Sequence, residues 1–191
     1  MLIDEFLPTY DLAAKQYSIE IDAPIEAVYP VVRKLDLRQA TITRLLLFAR
    51  SIPALLQGRP AIGLTLEDLD KMGFFLLAEA PPHELLIGFV GRIWTLTGDL
   101  QAVEPKRFRA FTTPGYVKGV VSFTLTPLGE GRTRLATVSR AQSLCQESLR
   151  KVRRYWFFIR PISGAVRLGM LRACKRQAES ACAESRASAQ R

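Results

Sequence analysis

A single histidine, His83, serves the whole 191-residue chain. Any Ser-His-Asp or Cys-His catalytic group would have to use it. His83 follows Pro81 and Pro82 in a stretch that reads as a turn tip, which supplies neither substrate contact nor a tuned pKa, so it reads as a surface residue. Cysteine is nearly as scarce. Cys145, Cys174 and Cys182 form no Cys-x-x-Cys pair, and beside one histidine they leave no zinc-ligand spacing. Cys174 and Cys182 stand about 12 Å apart along a helix, too far for a disulfide. All three read as small apolar packing residues of a reduced protein, and no cofactor or metal is implied.

Long apolar runs are missing too. Leu45–Ala49 and Phe74–Ala78 are the longest, far below the ~20 residues of a membrane-spanning helix. The chain begins Met1, Leu2, Ile3, Asp4, Glu5, acidic where a signal peptide is basic, so a cytoplasmic location is expected. Gly129 and Gly131 precede no helix and make a turn, not a phosphate loop. Without repeats or linkers, residues 1–184 are expected to form one domain, and 185–191 a frayed polar tail.

Basic charge is plentiful, and it is localised. Residues 150–191 hold 11 Lys and Arg against Glu179 and Glu184, a surplus equal to the net +9 of the whole chain. A helical wheel places Tyr155, Ile159, Ile162, Val166, Met170 and Cys174 on one face, with Arg150, Arg153, Arg160, Arg167, Arg172 and Lys175 on the other. This predicts a long amphipathic C-terminal helix whose apolar stripe closes something apolar. The basic face lacks any nucleic-acid-binding signature and reads as solvated, so no nucleic acid is expected as a partner. Phe157, Leu168 and Leu171 fall among the arginines, which leaves open an oligomer contact such as a homodimer, an anionic membrane surface, or packing under another helix.

Upstream, residues 17–22 alternate as a half-buried strand, and Pro24 then opens a helix with apolar positions at Ile25, Val28, Val31, Val32 and Leu35. Pro30 should kink or shorten it. A second helix is expected over Thr41–Arg50. Strands follow at Phe74–Ala80, Glu84–Arg92, Arg107–Thr113, Tyr116–Thr126 and Arg132–Arg140, with hairpin turns at Pro81–His83 and Leu128–Gly131. Ser143 to Gln146 has capping-box spacing and should start the last helix, which Pro161 and Gly164 should kink or break. The order is α+β: a curved antiparallel sheet wrapped around a long C-terminal helix, with two short helices after the first strand.

Several strings in this order resemble the START/Bet v 1-like superfamily (SRPBCC, polyketide cyclase-like), and a bacterial branch of it over nearly the whole chain. They are Ala23–Tyr29, Leu35–Leu37, Leu55–Gly58, Gly91–Trp94, Pro114–Tyr116, Thr133–Arg140, Tyr155–Trp156 and Pro161–Ser163. The resemblance implies a helix-grip fold with an apolar pocket between sheet and helix for lipids, sterols or polyketides, some members being cyclases or dehydratases. In that branch an acid is common two positions before the arginine matching Arg140; here that position is Val138.

Arg92 and Trp94 lead the candidates for contact with a ligand. Period-two spacing sets them on the face of Leu86 and Val90, and an inward guanidinium would require a carboxylate or an anionic ligand; the alternative is a place at the pocket mouth, in water or paired with a surface acid. Arg140 is similar, although Arg132 and Arg134 share its face. Phe89, Phe108, Phe111, Tyr116, Phe123 and Trp156 supply aromatic surface for pocket or core, and Ile159, Ile162, Val166 and Met170 line the helix side. Glu79 and Glu84 could pair as acid and base, or be solvated at an edge; Glu67, Asp68 and Asp70 read as a surface turn. The leading expectation is binding or carrying of a hydrophobic or amphipathic small molecule. A cyclase or dehydratase, and an adaptor docking its basic helix on acidic protein or anionic membrane, are the alternatives.

Overall fold

The structure, a computed structural model, describes residues 1–34, 73–95 and 98–189. The helix expected over Thr41–Arg50, Leu55–Gly58 and the acidic cluster of Glu67, Asp68 and Asp70 lie outside them. The chain opens with a short helix, α1 (Leu2–Phe6), and a two-residue strand, β1 (Leu12–Ala13), neither of which has a period long enough to read. Alternation then produces β2 (Tyr17–Ile21). Pro24 stands extended at the N-cap of α2 (Ile25–Arg33), which buries Ile25, Val28, Tyr29 and Val32 at helical spacing and stops three residues past Pro30.

Strands β3 (Phe74–Ala80) and β4 (Glu84–Gly91) form the first expected hairpin. The longer β5 (Val117–Gly129) and β6 (Arg132–Ser143) form the second. Its turn places Gly129, Glu130 and Gly131 at φ of 82°, 52° and 67°, left-handed backbone that glycine takes without strain. The six strands make one antiparallel sheet in the order β1-β6-β5-β4-β3, and β2 shares the β6 edge with β1. The long helix α3 (Gln146–Ala189) closes the chain and runs through Pro161 without a break. A six-stranded antiparallel sheet with a long C-terminal helix against it is the helix-grip α+β fold.

Both faces of the sheet are covered. The helix side holds Ile21, Leu85, Ile87, Phe123, Leu125 and Leu135 against α2 and, from α3, Leu171, Cys174 and Ala178. The outer side holds Phe75, Leu77, Leu86, Val90 and Val120 against Ile3 and Leu7 at the N-terminus and Phe108 from the β4–β5 connection. That connection departs from expectation. The strand predicted over Arg107–Thr113 is instead a 3-10 turn (Pro105–Arg107) and irregular chain. Its alternation reflects Phe108 plugging the outer core edge-on to Phe75, with Pro105 starting the turn.

The seam of α3 also differs from the wheel. Gly164, Arg167, Leu171, Cys174 and Ala178 are its buried row, whereas Tyr155, Ile159, Val166 and Met170 are half-buried and Ile162 is exposed. Tyr17 explains the rotation. A Cβ on Gly164 would meet the Tyr17 hydroxyl at 2.5 Å, and the Arg167 guanidinium stacks over the Tyr17 ring at 4.9 Å. Arg167 donates to the carbonyls of Lys15 (2.8 Å) and Ser163 (3.3 Å). A cation assigned to the solvated face is thereby 5% exposed, its charge met by carbonyls and a π face.

Candidate functional site

Strand register resolves the helix side of the sheet into rows. Leu85, Phe123, Thr137 and Tyr17 form one; Ile87, Val121 and Ser139 the next; Phe74, Phe89, Gly119 and Ala141 a third; Gly91, Val117 and Ser143 the last. The first row belongs to the dry core. Beyond it Val121, Ser139, Phe74, Phe89, Ala141 and Ser143 are only half-buried. Phe74 and Phe89 stack with centroids 5.3 Å apart, and the Phe89 ring lies flat over Gly119, where a Cβ would come within 2.1 Å of it. On this side of β6 the buried hydroxyls of Thr137 and Ser143 have no hydrogen-bond partner among the described residues. On α3, Trp156 and Ile159 are half-buried on the same side as the buried Ser148 and Val152.

The expected site residues divide between the two faces. Phe89 and Phe123 are on the helix side, Phe123 as packed core. Phe111 and Tyr116 pack edge-on against each other on the outer core, and Val138 joins them there. Arg140 also faces outward: it pairs with Asp4 of α1 at 2.7 Å and stacks over Tyr10 at 4.6 Å. Leu86 and Val90 belong to the outer core, so the face that Arg92 and Trp94 were read onto is not the one beneath α3. β4 ends at Gly91, and Arg92 leaves the sheet to pair with Asp99 at 3.4 Å and stack over Tyr116 at 4.6 Å. The surface-acid alternative for Arg92 is the one realised. Trp156, Ile159, Val166 and Met170 stay half-buried on α3.

Arg92 and Trp94 do meet, at a different place. With Thr95, Gly115, Glu147, Ser148 and Lys151 they line a hollow of about 230 Å³ at the start of α3. Beside it the helix is capped two residues later than the expected Ser143 start. The Ser148 N–H donates to Cys145 Sγ (3.4 Å) and the Cys145 N–H to Ser148 Oγ (3.2 Å), a capping box with sulfur in the serine position. The Gly115 N–H donates to the same sulfur at 3.3 Å. The Ser148 hydroxyl first, then these backbone donors, lower the Cys145 thiol to about 7. Cys-x-x-Ser spacing before a helix was the available signal, masked by a better-known cap two residues upstream.

A larger open groove of about 630 Å³ lies between α2 and the end of α3, lined by Pro24, Ala27, Val31 and Cys182 with Glu26, Lys34 and Gln177 at its edges. Glu79 and Glu84 do not assemble a dyad. A bulge between Leu76 and Ala78 sends Glu79 to the helix side, where it accepts from Tyr29 (2.9 Å) and Arg33 (2.9 Å). Glu84 faces the other way, toward the Leu2 N–H (2.9 Å) and Ser122. Arg33 and then Tyr29 hold the Glu79 carboxyl below its usual range, while burial and then Glu79 push the Tyr29 hydroxyl to about 12. Lys118, buried on the outer side, donates to the Arg109 carbonyl at 3.2 Å, and burial lowers its pKa. Among the described residues no group of three His, Cys, Asp or Glu is placed to hold a metal ion, and no helix is long and apolar enough to cross a membrane.

No protein-family model and no curated protein sequence matches this chain. Solved structures do. A conserved protein from Geobacillus kaustophilus is 12% identical with a TM-score of 0.41, covering 86% of this chain and 96% of its own. The Zhui aromatase/cyclase from Streptomyces sp. R1128 is 12% identical with a TM-score of 0.33, over 88% and 94%. The di-domain ARO/CYC BexL is 14% identical with a TM-score of 0.33, over 88% of this chain and 47% of that one. The chain is thus similar, at low identity, to structures that include aromatase/cyclases, and its fold assignment rests on its own strand order and helix.

Proposed function

We propose that this protein binds an amphipathic, largely apolar small molecule between the sheet and the N-terminal half of α3. One observation carries the reading: past the row of Leu85 and Phe123 the packing thins, with half-buried residues on both walls among the buried Ile87, Val117 and Val152. Beyond the row of Leu85 and Phe123, the sheet presents Phe74, Phe89, Val121, Ser139 and Ala141 half-buried, and the helix presents Trp156 and Ile159 in the same condition. Aromatic walls around small side chains suit an apolar ligand body, at about 25 cal/mol per Å² buried. The hydroxyls of Thr137 and Ser143 supply polar groups that a ligand oxygen would satisfy. The resemblance to START/Bet v 1-like proteins, which implies an apolar pocket between the sheet and the C-terminal helix, supports this reading. Binding is favoured over catalysis, because Glu79, a carboxylate on the helix side, is already engaged by Tyr29 and Arg33.

Titration with the fluorescent apolar probe anilinonaphthalene sulfonate, and with fatty acids that displace it, tests this. Gly119→Val pushes into the Phe89 ring and should weaken probe binding at least tenfold. Ala181→Leu, in the groove between α2 and α3, should leave it unchanged. Equal binding by both variants and the parent, each folded by circular dichroism, would remove the site from this face.

A further inference from the structure

We propose that the outward face of the N-terminal half of α3 docks on an anionic lipid bilayer. This goes beyond the ligand reading and does not rest on it. Phe157 and Phe158 are 77% and 73% exposed, edge-to-face with centroids 5.4 Å apart, and Ile162 one turn on is 39% exposed. At about 100° per residue, Arg150, Arg154, Phe157, Pro161 and Leu168 fall within about 60° of one another. Phe157 lies across the helix from the buried Ser148 and Val152, on the side turned from the sheet.

Cations surround the two rings. Arg150, Lys151, Arg153, Arg154 and Arg160 are exposed within this segment, against Glu147 alone. Lys151 takes Glu147 at 2.6 Å. Arg150, Arg153, Arg154 and Arg160 form no ion pair with a described residue. Apolar rings on a helix face flanked by exposed arginines have the form of an interfacial helix: the rings enter the acyl boundary while the guanidinium groups reach the phosphates. A second copy of this chain fits less well, since a two-fold contact through the rings would set arginines against arginines.

Co-sedimentation with vesicles of phosphatidylcholine alone, or with 30% phosphatidylglycerol, decides it. The full chain should bind the anionic vesicles at least tenfold more tightly than the neutral ones, and lose at least tenfold between 50 and 500 mM salt. The exposed double change Phe157→Ser with Phe158→Ser should cut binding about tenfold with its melting temperature unchanged. Arg153→Glu with Arg154→Glu should abolish it. Binding that ignores lipid charge, or survives loss of both rings, would overturn the proposal. So would a self-associating chain that dissociates on the Phe changes, or a preference for oligothymidine over the anionic vesicles.

Discussion

Cys145 and Cys174 belong to one helix and its cap, yet their thiols move in opposite directions. At the cap, the hydroxyl and backbone donors around Cys145 lower its pKa to about 7; in the seam, burial pushes Cys174 up to about 12. Iodoacetamide should therefore alkylate Cys145 in the folded protein with a rate that rises to half its plateau near pH 7, while Cys174 stays unmodified until unfolding. Peptide mass spectrometry across pH 5–9 reads both. Ser148→Ala, which removes the largest cause of the lowering, should move the Cys145 profile to higher pH, and an unmoved profile would assign it elsewhere. Neither thiol's fate was legible from sequence, which read all three cysteines as packing residues. That holds for Cys174. For Cys145 the largest cause is the Ser148 hydroxyl three residues on, and the Gly115 N–H, thirty residues away along the chain, adds to it. Arg167 shows the opposite error: a helical wheel treats charge as outward, but a long stem, two carbonyls and the Tyr17 ring accommodate this one inside.

Among the elements, strands were the more legible, because a period of two survives wherever one face packs. Both long hairpins appear with their turns as expected, and the bulge in β3 is what separates Glu79 from Glu84. Such a bulge leaves no mark in a sequence until its partner strand is known. The same limit left the faces of Arg92, Arg140 and Tyr116 open: alternation says which residues share a face, and only α1 and the β4–β5 connection say what covers it. In α3, Pro161 removes the N–H that would bond the Phe157 carbonyl, although the helix continues. Pro161→Ala at this exposed position should raise the melting temperature, the helix-propensity gain being up to about 3 kcal/mol in stability. A fall would mean that the seat of the helix on Tyr17 depends on a bend at Pro161.

At the scale of the whole molecule, charge sits unevenly and couples stability to pH. Arg140 lowers Asp4, Arg134 lowers Glu20, Arg33 and Tyr29 lower Glu79, and Lys151 lowers Glu147. A carboxyl lowered in the folded state stabilises above its unfolded value, here 3.8 for Asp and 4.5 for Glu, and that contribution disappears as pH falls through the folded value. The melting temperature should fall below about pH 4.5, be flat from about pH 5.5 to 6, and rise again from about pH 7 as the lowered Cys145 thiol ionises in the folded chain first. Raising salt should flatten the dependence, because these pairs are largely exposed; a salt-independent fall would place its origin in a buried group. The same register that builds the sheet also fixes a timetable. Among the described residues β1 and β2 pair only with β6, which follows them by more than a hundred residues. The first two strands must wait, unpaired, until Ser143 has left the ribosome, and α3 can seat on Tyr17 only after that. Folding of this sheet is therefore governed by non-local pairing, which is slow.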